Sequence, residues 1–127
     1  MAVGKQVAEF TFKFTSLTYT ATENERTVQG NCEGTVKIGG EASPACGTLT
    51  THGKPGATSG KCSWVGAVYP NNGEDIPSTG EGTWDKAGAH KWRVRVLLSR
   101  SDGSMRVTEG EIDLATRSYT GVNYEWN

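Results

Sequence analysis

The chain has 127 residues, which is enough for one domain, residues 1–127, that buries a core without a disulfide framework. Its formal net charge is −1 and its acidic and basic residues are interspersed, so no nucleic acid partner is expected. No stretch approaches the roughly 20 apolar residues of a membrane helix, so no membrane partner is expected either. The first residues lack the apolar run of a signal peptide, which slightly favours a cytoplasmic location over a mature secreted form.

Composition favours an all-β fold. The chain holds 17 Gly and four Pro, and Thr, Val, Trp and Tyr are frequent, as expected of short strands joined by glycine turns. Its three cysteines, Cys32, Cys46 and Cys62, are an odd number and fit no zinc spacing. Buried free thiols are therefore expected, with one disulfide as the alternative, and neither a metal nor a cofactor is predicted.

Apolar and polar residues alternate with period two along most of the chain, and this alternation predicts about eight strands in sequential order. The Gly39-Gly40 and Ser43-Pro44 pairs are predicted to form one turn, and 101–103 a hairpin turn. The predicted strands are residues 7–20, 26–38, 46–52, 61–69, 79–86, 91–100, 104–114 and 118–126.

Two predicted strands change phase along their length. In the first, the apolar residues move from even positions, up to Phe14, to odd positions after Thr15, which indicates a β-bulge. In the seventh, the apolar residues lie at odd positions from Met105 and at even positions from Ile112. This change predicts a second bulge at Glu109, with Met105 and Glu109 on the inner face.

A sequential meander of this size tends to close, because closure removes the exposed edge strands. The predicted architecture is therefore a single antiparallel up-and-down barrel, with a β-sandwich as the alternative. An eight-stranded barrel has an interior that is either filled by side chains or holds one small ligand.

Aromatic side chains are the main candidates for contact with such a ligand, because they combine a large apolar area with a polar handle. Trp64 and Tyr69 lead into a polar loop at 70–78, so a cavity is predicted to open at that end of the barrel. The residues predicted to bind the ligand are Trp64, Tyr69, Trp84, Trp92 and Met105.

Candidates for catalysis are fewer. A carboxylate inside a barrel has a raised pKa and suits general acid or base chemistry, which makes Glu109 a candidate together with Tyr19 and Tyr69. His52 and His90 have no visible partner in the sequence and are expected at the surface.

The run Gly80-Glu81-Gly82-Thr83-Trp84 and the strand pattern of the whole chain resemble small antiparallel barrels such as the calycins and the allene-oxide-cyclase-like barrels. The resemblance implies an interior that holds a lipid, a polyketide-like molecule or a pigment. Some barrels of these kinds also catalyse the cyclisation of a substrate through the shape of an apolar cavity, so the resemblance extends to that activity.

The leading functional hypothesis is a barrel that binds a small, mostly apolar molecule, either as a carrier or as a cofactor-free cyclase or isomerase. The alternative is a carbohydrate- or protein-binding module of the lectin or inhibitor type. In that module Trp64, Trp84, Asn71 and Asn72 would face solvent on or near loops. A third hypothesis is a homo-oligomer that self-associates through an exposed sheet face.

Overall fold

The computed structural model describes residues 3–126 and contains eight antiparallel strands. Each strand pairs with the next and β1 pairs with β8, so the sheet closes into a barrel. The closed meander is confirmed, and the sandwich alternative is wrong. Within the described range no helix is long and apolar enough to cross a membrane. The strands are β1 (Val3–Ala21), β2 (Arg26–Ile38), β3 (Glu41–Gly53), β4 (Ser59–Val68), β5 (Ile76–Gly88), β6 (Lys91–Arg100), β7 (Met105–Asp113) and β8 (Ser118–Trp126).

The turn between β2 and β3 is shorter than predicted. Gly39 and Gly40 have φ angles of 58° and 85°, the left-handed conformation that a two-residue hairpin turn of type I′ requires at both positions. Ser43 and Pro44 do not belong to the turn, because β3 already begins at Glu41. Pro44 fits there since the pairing of β3 with β4 begins only at the next residue.

The bulge predicted in β1 is confirmed. The register between β1 and β2 shifts between Phe14 and Ser16, so Thr15 is the extra residue. Its Oγ1 donates a hydrogen bond to the carbonyl oxygen of Asn31 at 3.1 Å. The shift lets Phe14 and Leu17 both face the interior, although they are three positions apart.

The second predicted bulge is wrong. The register of β7 with β6 and with β8 is continuous. Met105 and Glu109 are exposed on the outer surface, and the inner face of β7 carries Arg106 and Thr108. The apparent phase change arose because this strand places polar residues inside one end of the barrel.

A cluster of aromatic rings fills the middle of the barrel. The ring centroids of Phe10 and Tyr119 are 4.9 Å apart, and those of Phe12 and Trp64 are 5.5 Å apart. All four residues are buried, with exposures of 3 to 8%. Together they form a waist, defined here as Phe10, Phe12, Trp64 and Tyr119.

Glycines on neighbouring strands make room for the large rings of the waist. Gly47 of β3 and Gly66 of β4 are directly opposite each other. A Cβ atom at either position would lie 2.5 Å from Cζ2 of Trp64, closer than van der Waals contact allows. Gly30 likewise lies under the ring of Phe14, whereas Gly34 lies against the backbone of Thr11.

Candidate ligand-binding cavities

Among residues 3–126, one interior cavity lies towards each end of the barrel, and no described residue lines both of them. The larger, named the wide cavity, has a volume of about 240 Å³ and lies at the end that carries the β1–β2 and β3–β4 turns. Its lining residues are Phe14, Leu17, Tyr19, Arg26, Val28, Gly30, Leu49, Thr51, His52, Gly53, Lys54, Gly56, Ala57, Trp84, Trp92, Ile112 and Leu114.

The smaller, named the narrow cavity, has a volume of about 60 Å³ and lies at the opposite end. Its wall includes Ile76 and Ser78, which fall within the predicted loop 70–78 but belong to β5 in the structure, so a cavity does lie at the end predicted from the sequence. The waist residues form its floor. The sequence did not reveal that the larger space lies at the other end.

The wall of the wide cavity is held by hydrogen bonding as well as by packing. Nε1 of Trp84 donates a hydrogen bond to the carbonyl oxygen of His52 at 2.9 Å. The same ring lies against Gly53 and Gly60, where a Cβ atom would approach it to within 2.9 and 2.7 Å. Trp84 therefore has a fixed position on the wall, which suits a preformed binding surface.

Polar and charged side chains surround the mouth of the wide cavity. Nδ1 of His52 is 3.3 Å from Oε1 of Glu25 and 3.3 Å from Oγ1 of Thr27. Arg26 and Lys54 are exposed beside them. No partner of His52 could be predicted from the sequence, because its partners lie on the neighbouring strand and turn, about 25 residues earlier in the chain. His90 is exposed in the β5–β6 turn and does not line the cavity.

The five residues predicted to bind a ligand are not brought together. Trp84 and Trp92 line the wide cavity, whereas Trp64 lines the narrow one and donates a hydrogen bond from Nε1 to Oγ of Ser78 at 3.2 Å. Tyr69 and Met105 are 41% and 37% exposed, and neither lines either interior cavity.

The three predicted catalytic candidates are also apart. Glu109 is exposed on the outer face of β7, not on the inner face as predicted, so it cannot contact a molecule in the interior. Tyr19 lies at the mouth of the wide cavity and is 66% exposed. Tyr69 lies beside Cys46, and this neighbouring thiol raises the pKa of the Tyr69 hydroxyl, which makes it a weaker acid.

All three cysteines are free thiols, although the expectation that such thiols are buried holds for only two of them. Cys32 and Cys62 are buried and Cys46 is exposed. Burial raises the pKa of Cys32 to about 12 and that of Cys62 to about 11, so neither forms a thiolate at neutral pH. Burial also raises the pKa of the Tyr119 hydroxyl in the waist.

Among residues 3–126, no three side chains of the His, Cys, Asp or Glu type come close enough to hold a metal ion together. Comparison of the chain with protein-family models, with curated proteins and with solved structures gives no match in any of the three. The chemistry of the two cavities is therefore inferred from the side chains that line them.

Proposed function

We propose that this barrel binds a small, mostly apolar molecule in the wide cavity. The observation that carries the proposal is an unfilled space of about 240 Å³ with a largely apolar wall, inside a barrel whose waist is fully packed. Protein interiors are normally filled to crystal-like density. An open space of this size with apolar walls is the usual form of a small-molecule site.

The wall favours a ligand with an apolar body and a polar end. Trp84, Trp92 and Ile112 offer flat and aliphatic surfaces in the interior, while Arg26 and His52 lie at the mouth. The volume equals that of roughly eight water molecules at about 30 Å³ each, so the enclosed part of the ligand is small. An apolar body would lie inside, with its polar group towards the mouth.

The geometry favours binding over catalysis by Glu109 or Tyr69. Glu109 and Tyr69 are on the outside of the barrel and cannot reach a molecule in the wide cavity. A cyclase or isomerase that transfers a proton commonly uses a histidine. His52 contributes its backbone carbonyl to this wall through the hydrogen bond from Trp84, but its ring lies on the outer face of β3 beside Glu25, so the structure assigns it no proton-transfer role.

The surface-module alternative has less support. Stacking of a sugar on Trp64 and Trp84 needs both rings to face solvent, yet Trp64 is 8% exposed and Trp84 forms part of an interior wall. Asn71 and Asn72 are exposed in the β4–β5 loop, but Nδ2 of Asn71 is already bonded to Oε1 of Glu41 at 3.2 Å.

A neutral fluorescent probe tests the proposal. N-phenyl-1-naphthylamine brightens when it moves from water into apolar surroundings, and we expect saturable brightening with the wild-type barrel. Thr51→Phe places a ring in the wide cavity, because Thr51 lies on its wall. We expect this variant to lose the brightening almost completely.

Thr50→Phe is the matched control, since Thr50 is the neighbouring residue on the outer face of the same strand. It should bind the probe as the wild type does. The proposal is wrong if the wild type produces no saturable signal, or if Thr51→Phe and Thr50→Phe bind the probe equally well.

A further inference from the structure

Two arginines lie inside the narrow cavity, at the end of the barrel opposite the proposed ligand site. Arg100 is the last residue of β6 and Arg106 is the second residue of β7, and both line this cavity. The side chain of Arg100 is only 13% exposed, and Arg106 is half-buried. Arginine is normally exposed on the surface, so two guanidinium groups that line one small cavity are unusual and mark it as a candidate site for a negatively charged ligand.

The two guanidinium groups have many unused donors. Nη2 of Arg100 is 3.9 Å from Oδ2 of Asp102, while Oδ1 of Asp102 accepts a hydrogen bond from the Ser104 amide. Glu125 lies opposite Arg106 in the β7–β8 pairing but forms no ion pair with it. Within residues 3–126 neither guanidinium donates a hydrogen bond to another residue, and because no buried side-chain nitrogen there lacks a partner, the free donors are accessible from solvent. Burial lowers the pKa of Arg106, and so does the charge of Arg100, while the carboxylates of Asp102 and Glu125 act in the opposite direction.

Beyond the arginines, the narrow cavity is mainly apolar. Phe10, Val36 and Leu98 are part of its wall. On the wall, Oγ1 of Thr108 donates a hydrogen bond to Oδ1 of Asn123 at 2.6 Å, so these two polar side chains are paired with each other. A volume of about 60 Å³ equals roughly two water molecules, so only a short apolar group fits.

We propose that the narrow cavity is a binding site for a short-chain aliphatic carboxylate. The carboxylate would accept hydrogen bonds from Arg100 and Arg106, whose planar forks match its two oxygens, and the alkyl chain would enter the apolar space below. This site goes beyond the function proposed for the wide cavity. It is separate from that cavity, because the waist lies between the two.

Butyrate is a suitable probe, followed by two-dimensional NMR of the full chain. We expect saturable shifts at Ala8, Val96 and Leu98, whose side chains line or adjoin the narrow cavity. Arg106→Gln keeps most of the side-chain volume and removes the charge, and it should weaken butyrate binding at least about tenfold. Arg95→Gln makes the same charge change on the outer face of β6 and should leave the affinity unchanged.

Wild-type protein alone gives a second test that does not depend on any variant. Butyramide has the same chain without the charge, and inorganic phosphate has charge without the chain, so both should bind at least about tenfold more weakly than butyrate. Equal binding of butyrate and either probe would overturn the proposal, as would equal weakening by Arg106→Gln and Arg95→Gln. Saturating butyrate should leave N-phenyl-1-naphthylamine bound, so the two proposals can fail independently.

Discussion

Trp64 occupies the centre of the barrel because Gly47 and Gly66 leave space for its ring. We expect Gly47→Ala to lower the free energy of unfolding by about 1–3 kcal/mol, because the added methyl group would overlap Cζ2 and Cη2 of Trp64. Chemical denaturation measures this difference. The two overlapping atoms belong to the outer, six-membered ring of the indole. The single ring of phenylalanine has no atoms at these positions.

A double-mutant comparison tests this cause. In a Trp64→Phe background, Gly47→Ala should cost clearly less than it does in the wild type. An undiminished cost would show that the nearby carbonyl oxygen of Val65, and not the ring, excludes the methyl group.

Thiol exposure gives a second prediction for single residues. Cys46 is exposed, while Cys32 and Cys62 are buried with raised pKa values. At pH 8 a disulfide reagent such as DTNB should therefore modify the native protein quickly at Cys46 only, and Cys46→Ser should abolish this fast reaction. Fast modification of the Cys46→Ser variant would mean that the core opens readily.

The raised thiol pKa values also predict how stability depends on pH. In the unfolded chain these thiols ionise near pH 9, whereas in the barrel they remain protonated up to about pH 11 or 12. The folded state therefore binds more protons above pH 9, and stability falls as the pH rises. We expect a loss on the order of 2 kcal/mol between pH 8 and pH 10, measured by urea unfolding. A Cys32→Ala, Cys62→Ala variant should lose less, and an equal loss in this variant would contradict the assignment.

At the scale of elements, β1 depends on one extra residue. Thr15 is the residue that the β1–β2 register skips, between Phe14 and Ser16. Deletion of Thr15 should leave Phe14 and Leu17 in the interior and give a folded protein with a modestly lower Tm, because the pairing on either side already matches. Circular dichroism during heating measures the transition.

Deletion of Thr11 is the matched control in the regular part of the same strand. It would turn one half of the strand over, so that core residues such as Phe12 would face the wrong side. We expect no cooperative unfolding transition from this variant. If the two deletions had equal effects, the bulge at Thr15 would not be the residue that sets the phase.

The bounds of β2 and β6 were predicted to the residue, because apolar inner residues such as Val28 and Val94 alternate with mostly polar outer ones. The prediction failed where the inner face is polar or small. In β7 the inner Arg106 and Thr108 resemble surface residues, so the outer Met105 was assigned to the interior. In β3 the presence of Pro44 resembled a turn.

The site could be predicted only in part. Trp84 and Trp92 were identified as ligand contacts because of their residue type, and both line the wide cavity. Its location could not be predicted, because an unfilled space depends on how residues from six strands meet. A residue such as Thr51 shows no sign of its position on a cavity wall in the sequence alone.

At the scale of the whole molecule, the aromatic waist divides the barrel into two chambers of different chemistry. The wide cavity has an apolar wall with a polar mouth, and the narrow cavity has two arginines above an apolar floor. Because no residue lines both, changes in one chamber should have little effect on binding in the other.

The position of a bound neutral apolar probe tests most directly whether the barrel binds its ligand inside. Nuclear Overhauser contacts between N-phenyl-1-naphthylamine and methyl groups of the wild-type barrel give this position. We predict contacts to Leu17, Val28 and Ile112, all on the wall of the wide cavity. Contacts confined to Val65 and Leu97, which are exposed on the outer surface, would contradict the claim that the barrel binds its ligand inside.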